Sequence, residues 1–166
     1  MKDVSIIIPI YNVEKYVAEC INSVISQTYD HSKIECIIVD DCTSDHSVDI
    51  VKEIIENYKG EMTFVLHKHK QNQGLSAARN SGIDIATGDY LLFMDSDDYI
   101  YPNAIELLMK ACFEDPDAEI ISGNTYDEYH NYNIFNFNDI RIIENMNFLY
   151  MGDTKIIIAV NHSPIT

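Results

Sequence analysis

Apolar positions along this chain alternate between two rhythms. Val4 to Ile10 is a β-branched run and predicts a strand buried on both faces. Asn12 is placed to cap a helix in which Val13, Val17, Cys20, Ile21, Val24 and Ile25 recur at helical spacing. Ile34 to Val39 predicts a second buried strand, ending in Asp40-Asp41. Thr43, Ser44 and Asp45 are capping residues for a helix carrying Val48, Val51, Ile54, Ile55 and Tyr58, closed by Gly60. Met62 to Leu66 reads as a third strand. Asn72-Gln73-Gly74 opens a helix through Leu75, Ala78, Gly82 and Ile85, which Gly88 stops. Tyr90 to Met94 predicts a fourth strand. Pro102 falls near the first turn of a helix through Ile105, Leu108 and Cys112, and Ala118 to Ile121 predicts a fifth strand.

Strand alternating with helix predicts an α/β fold, with a mainly parallel central sheet and helices on both faces. Ligands of such sheets bind outside the carboxyl ends of the strands. Each of the first four strands ends in a distinctive cluster: Pro9-Ile10-Tyr11-Asn12, Asp40-Asp41, the His67–Gly74 loop, and Asp95 to Asp98. After residue 123 the rhythm changes. Residues 123–139 are dense in Asn, Tyr and Asp and read as a hairpin or long loop; 145–150 reads as a short helix and 155–160 as a last strand. One structural domain is expected, with 1–123 as a ligand-binding region and 124–166 as a further segment.

Composition narrows the partners. The 166 residues carry 11 basic and 27 acidic side chains, a formal charge of −16, which repels nucleic acid and anionic lipid surfaces. A polyanionic ligand would need a metal or local basic groups. Cys20, Cys36, Cys42 and Cys112 show no C-x-x-C spacing and read as free thiols in a reducing compartment. No apolar run has the length of a membrane span, and Met1-Lys2-Asp3 leads into the first strand without a signal-peptide pattern. The expected setting is cytoplasmic, with docking at the inner face of the membrane through other parts left open.

The run Tyr90-Leu91-Leu92-Phe93-Met94-Asp95-Ser96-Asp97-Asp98 carries the sharpest chemistry. An apolar strand runs straight into three carboxylates. In an extended segment Asp95 and Asp97 project to one face and can converge on a hard cation. A metal held by only one or two carboxylates leaves positions open for phosphate oxygens. The spacing alone is weak. With 16 Asp in the chain, chance supplies about one or two Asp-x-Asp triplets, and Asp115-Pro116-Asp117 is a second one that reads as a turn.

The blocks Ser5-Ile6-Ile7-Ile8-Pro9-Ile10-Tyr11-Asn12, Ser26-Gln27-Thr28-Tyr29, Ile37 to Asp45, Asn72 to Gly82 and Ala86 to Asp98, in that order, resemble the family 2 glycosyltransferases over roughly residues 3–123. The resemblance implies a GT-A (nucleotide-diphospho-sugar transferase) fold, Rossmann-like and three-layered. It implies a sugar donor, a UDP-sugar above others, and Mg²⁺ or Mn²⁺ as cofactor. Pro9, Tyr11 and Asn12 would line the nucleotide pocket, with Glu14, Gly74 and Ser96 beside them. Asp41 would accept the N3–H of uracil, Arg79 would reach the nucleotide, and Asp95 would approach the ribose. Asp97 would hold the metal with Asp95, and Asp98 could share that role. The implied activity is inverting transfer of a sugar to a saccharide or lipid-linked acceptor in cell-surface polysaccharide synthesis. The family's Gly-Ser after the Asp-Asp pair is here Cys42-Thr43.

Other readings stand beside these. Glu14 is explained by a helix dipole as well as by a ligand. His67-Lys68-His69-Lys70 reads as a solvated loop more than as a phosphate or metal site. The Tyr126, Tyr129, Tyr132 and Phe135 stripe reads as hairpin packing or as sugar stacking. A receiver domain would put its Asp-Asp pair after the first strand, where this chain has Pro9-Ile10-Tyr11-Asn12. A haloacid-dehalogenase phosphatase would place Asp-x-Asp-x-Thr near the N-terminus. A nucleotidyltransferase would want a Gly-rich basic loop after the first strand. No convincing general base for an acceptor is seen; Asp127 and Glu128 are weak candidates. The chain is therefore expected to be a truncated donor-binding half, or a nucleotide-sugar-binding fragment without turnover.

Overall fold

The computed structural model describes residues 3–115, 120–122, 141–143 and 155–158. The elements run β1 (Val4–Ile10), α1 (Val17–Ile25), a 3₁₀ turn (His31–Lys33), β2 (Ile34–Asp40), α2 (Ser47–Asn57), β3 (Thr63–Lys68), α3 (Leu75–Ile85), β4 (Tyr90–Phe93), α4 (Ala104–Glu114), β5 (Ile120–Ser122), β6 (Arg141–Ile143) and β7 (Lys155–Ile158). The sheet order is β3-β2-β1-β4-β7-β5-β6. All pairs are parallel except β5 with β6. The expected α/β architecture is what forms. The stripe at 126–135, the acids Asp127 and Glu128 and the helix expected at 145–150 lie outside the described residues.

The β-branched runs end up buried because both faces of the sheet are covered. Even-numbered residues of the central strands (Ile6, Ile8, Ile10, Ile38) join one core with Val17, Ile21 and Val24 of α1, Val51 of α2 and Ile105 and Met109 of α4. Odd-numbered residues (Ile7, Ile37, Val39, Leu91) form a second core with Ala78 of α3. Period-two alternation thus sorts one strand into two interiors. Gly82 brings α3 against the sheet: a Cβ there would lie 2.4 Å from Ile7 Cγ2. Ile7 is fully buried and cannot swing away. Gly82→Ala should therefore lower the urea midpoint by an amount equivalent to about 1–3 kcal/mol of overpacking.

Strand order sets where a ligand can bind. From β1 the chain goes outward through β2 to β3, then returns to lay β4 on the other side of β1. Neighbouring crossovers therefore depart in opposite directions, leaving a crevice at the carboxyl ends of β1 and β4. Single hydrogen bonds carry the ladder one residue past the strands. Asp41 N donates to Ile10 O (3.0 Å), His69 N to Asp40 O (2.8 Å) and Met94 N to Ile7 O (3.0 Å). The first residue beyond each of these strand ends is thus tied to a neighbouring strand.

Several local expectations shift by a few residues. α1 begins at Val17, with Tyr16 at its N-cap, so Asn12 does not cap it and Glu14 lies before its first turn. β3 runs to Lys68, two residues beyond Leu66. α2 ends at Asn57, ahead of Gly60. Among the described residues no helix is long and apolar enough to cross a membrane. All four cysteines are free, and Cys20, Cys36 and Cys112 are buried.

Candidate functional site

A cleft of about 370 Å³ opens at the β1/β4 crevice, within the size range of small-molecule sites. Pro9, Ile10, Tyr11 and Val13 line it from the end of β1, and Asp41 from the end of β2. Asn72, Gly74, Leu75 and Ala78 line it from the start of α3, and Asp95, Ser96 and Asp97 from the turn after β4. Tyr11 (48% exposed) and Leu75 (51%) offer apolar surface at the mouth. Gly74 turns into α3 with φ +87°, where a side chain would be strained.

The turn after β4 separates the three carboxylates. Asp98 N donates to Asp95 O at 3.2 Å, closing a tight turn. Asp98 is buried (5% exposed) and does not line the cleft, whereas Asp97 is exposed and does. The option of Asp98 as a metal carboxylate is thus not supported by its placement. Asp95 lines the cleft while its Oδ1 pairs with Arg79 Nη2 at 2.6 Å. Arg79 itself does not line the cleft; its guanidinium lies 6.0 Å from the Phe93 ring centroid and steadies Asp95 from the side. Beneath this turn, burial pushes the Cys20 thiol well above its ordinary pKa, with Cys36 and the three acids adding to the effect. That protonated thiol donates to Asp95 O at 3.7 Å.

Asp41 is buried (3% exposed), and its surroundings keep it ionised. Burial alone would raise its pKa, but bonds from Gln73 N, His69 and Gly74 N outweigh that and hold it below the ordinary carboxylate value. His69 Nδ1 donates to Oδ1 at 2.7 Å, and the ring's other nitrogen meets Ser81 Oγ at 2.8 Å. Composition puts His69 in a solvated loop, yet it is 4% exposed and belongs to the site. A signal for this exists in the chain. Once β3 is extended, alternation puts Val65, His67 and His69 on the α3 side of the sheet.

Asn12 and Glu14 do not line the cleft; they fasten its neighbouring loops. Asn12, at φ +54°, accepts on Oδ1 from Ser44 N (2.9 Å) and from the Ser44 hydroxyl. Glu14 N donates to Asp45 Oδ2 at 2.9 Å, and Glu14 Oε2 accepts from His46 N. Burial would raise the Asp45 pKa, but Ser47, Glu14 N and Thr43 bring it down to about 2. A carboxylate with a depressed folded-state pKa stabilises the fold above its ordinary value of 3.8 and loses that contribution as pH falls toward 2. Asp45→Asn should flatten acid unfolding within that window and cost about 1–2 kcal/mol at neutral pH, read from denaturant melts across the pH range. Beside it, Cys42 has φ +64°, a left-handed conformation that a residue with a side chain adopts at a cost. Cys42→Gly should raise stability by about 1 kcal/mol; a lower melting temperature would contradict that assignment.

The family model described as "Glycosyl transferase family 2" matches residues 5–164. The chain belongs to glycosyl transferase family 2. It is 41% identical over 123 residues to the glycosyltransferase GlyA of Streptococcus pneumoniae serotype 4, covering 74% of this chain and 17% of GlyA. It is 41% identical over 102 residues to the poly(ribitol-phosphate) beta-glucosyltransferase of Bacillus spizizenii, covering 61% of this chain and 16% of that protein. The structure resembles S. aureus TarS 1–349 in complex with UDP, at TM-score 0.68 and 27% identity over 82% of this chain and 38% of TarS 1–349. The family 2 chain has the GT-A fold, and it spans well under half the length of these relatives.

Proposed function

We propose that this chain binds a UDP-sugar and serves an inverting glycosyltransferase that extends a saccharide or lipid-linked acceptor of a cell-surface polymer. One observation carries the reading: the switch-point cleft of a family 2 fold brings together a buried, ionised Asp41 and the solvent-facing pair Asp95 and Asp97. The similar TarS was solved with UDP and with UDP-GlcNAc. The poly(ribitol-phosphate) beta-glucosyltransferase suggests the class of acceptor polymer.

In this reading Asp41 accepts an N–H of the base, and Tyr11 and Leu75 shield its ring faces from water. Asp95, held by Arg79, faces the ribose. The donor set fits a hard divalent cation. Asp95 and Asp97 offer carboxylate oxygens, and among the described residues no group of three or more His, Cys, Asp or Glu side chains forms a closed cage. Mg²⁺ and Mn²⁺ are commonly held this way, by one or two carboxylates with phosphate oxygens completing the shell. Asp95 and Asp97 would hold such a cation, which would supply positive charge to offset the diphosphate and the growing charge of the leaving group beside a protein of charge −16. A cytoplasmic setting is part of the proposal and accords with the four free thiols.

A thermal-shift panel of nucleotide sugars with Mn²⁺ tests the reading, since a ligand of the native state raises the apparent melting point. UDP-sugars should give the largest shifts. No shift with any uridine nucleotide would refute the proposal. Incubating residues 1–166 with the best donor and saccharide acceptors then separates transfer from binding: product formation would place a general base within this chain.

A further inference from the structure

Asp41 enters the cleft with most of its acceptor capacity already committed. An ionised carboxylate has about four lone-pair sites on its two oxygens. Oδ1 accepts from His69 Nδ1 at 2.7 Å and from Gln73 N at 2.8 Å, and Oδ2 accepts from Gly74 N at 2.8 Å. Among the described residues these are the bonds to the carboxylate, which leaves one site, on Oδ2, of a side chain that lines the cleft. Because a carboxylate only accepts, His69 Nδ1 carries a proton whatever the charge of the ring. Its Nε2 is fixed by Ser81 on α3, 2.8 Å away, and the whole imidazole is buried. The ring therefore cannot turn without breaking two hydrogen bonds, and Asp41 cannot turn without leaving His69 unpaired.

We propose that His69 is a positioning residue for base selection: by occupying Oδ1 of Asp41 it presents the single remaining acceptor site of Oδ2 to the nucleobase. This rests on the reading that Asp41 meets the base. A pyrimidine with a ring N–H, as in uracil, completes the carboxylate. One with a ring-nitrogen acceptor at that place, as in cytosine, sets acceptor against acceptor and leaves both unpaired. Removing the imidazole reopens a site on Oδ1 and frees the carboxylate to rotate or take up water. The rejection of cytosine then weakens. A purely architectural role for His69 would lower stability and leave the choice of base unchanged.

The test is calorimetric binding of UDP and CDP, with Mg²⁺, to residues 1–166 and to His69→Leu, His69→Asn and Asp41→Asn. His69→Leu should weaken UDP about tenfold, the scale of one well-placed hydrogen bond, and leave CDP little changed, so the UDP:CDP ratio contracts by the same factor. His69→Asn carries an N–H near the Nδ1 position and should restore most of the ratio. A folded His69→Leu that keeps the wild-type ratio, while Asp41→Asn collapses it, overturns this inference alone. An unchanged ratio in Asp41→Asn overturns the base-contact reading and the inference with it. Should His69→Leu fail to fold, the wild-type imidazole decides. Its Nδ1–H resonance must shift on saturation with UDP and less so with CDP, and equal or absent shifts overturn the proposal.

Discussion

Asp97→Ala is expected to abolish metal-dependent UDP binding, with an affinity loss on the order of 100-fold in the presence of Mg²⁺ or Mn²⁺. Asp97 is the exposed carboxylate of the turn after β4, and it faces the cleft. An exposed side chain of this kind adds little to the fold, so the melting temperature of the variant should stay near that of the parent. The same titration without metal should give similarly weak binding for both proteins. Equal UDP affinity with and without metal in the parent would refute the metal assignment. Asp98→Ala is the contrasting variant. Asp98 is buried and engaged inside the protein, so its loss should show first as lower stability.

Asp41→Ala should be the most damaging single change at the cleft, because it combines a binding loss with a structural one. It strands His69 Nδ1, Gln73 N and Gly74 N, which all donate to this carboxylate. Each buried donor left without a partner costs about 1–3 kcal/mol. Denaturant unfolding should show that loss, and calorimetry on the folded fraction should show uridine nucleotides losing their advantage over other diphosphates. Asp41→Asn keeps the shape and separates the two effects. Retained preference for UDP over other diphosphates in a folded Asp41 variant would remove its assigned role.

The fold is legible in the sequence because its signals are local. A β-branched run such as Val4–Ile10 predicts a doubly covered strand from a handful of residues, and helical spacing from Val17 to Ile25 does the same for α1. Boundaries are less legible. β3 extends to Lys68 since pairing with β2 (Val39 with His67, Asp40 with Lys68) holds residues that composition alone marks as solvated. The slot of β7 between β4 and β5 is not legible either, because parallel pairing joins segments far apart in the chain.

Within the site, sequence order alone brings Pro9, Tyr11, Asp41, Gly74, Asp95, Ser96 and Asp97 to one sheet edge, since every parallel strand delivers its carboxyl end to the same rim. Tertiary structure decides what each side chain does there. Asp97 and Asp98 are adjacent in sequence, and only the turn closed onto Asp95 O sends one to the cleft and the other inward. Asn12 and Glu14 staple the loop at residues 43–46, and Arg79 holds Asp95. His69 leaves the solvated loop that composition suggests and buttresses Asp41. Periodicity is a property of neighbours along the chain and can be read from them. A hydrogen bond between residues 28 positions apart depends on how β2, β3 and α3 pack, and only the folded chain settles that.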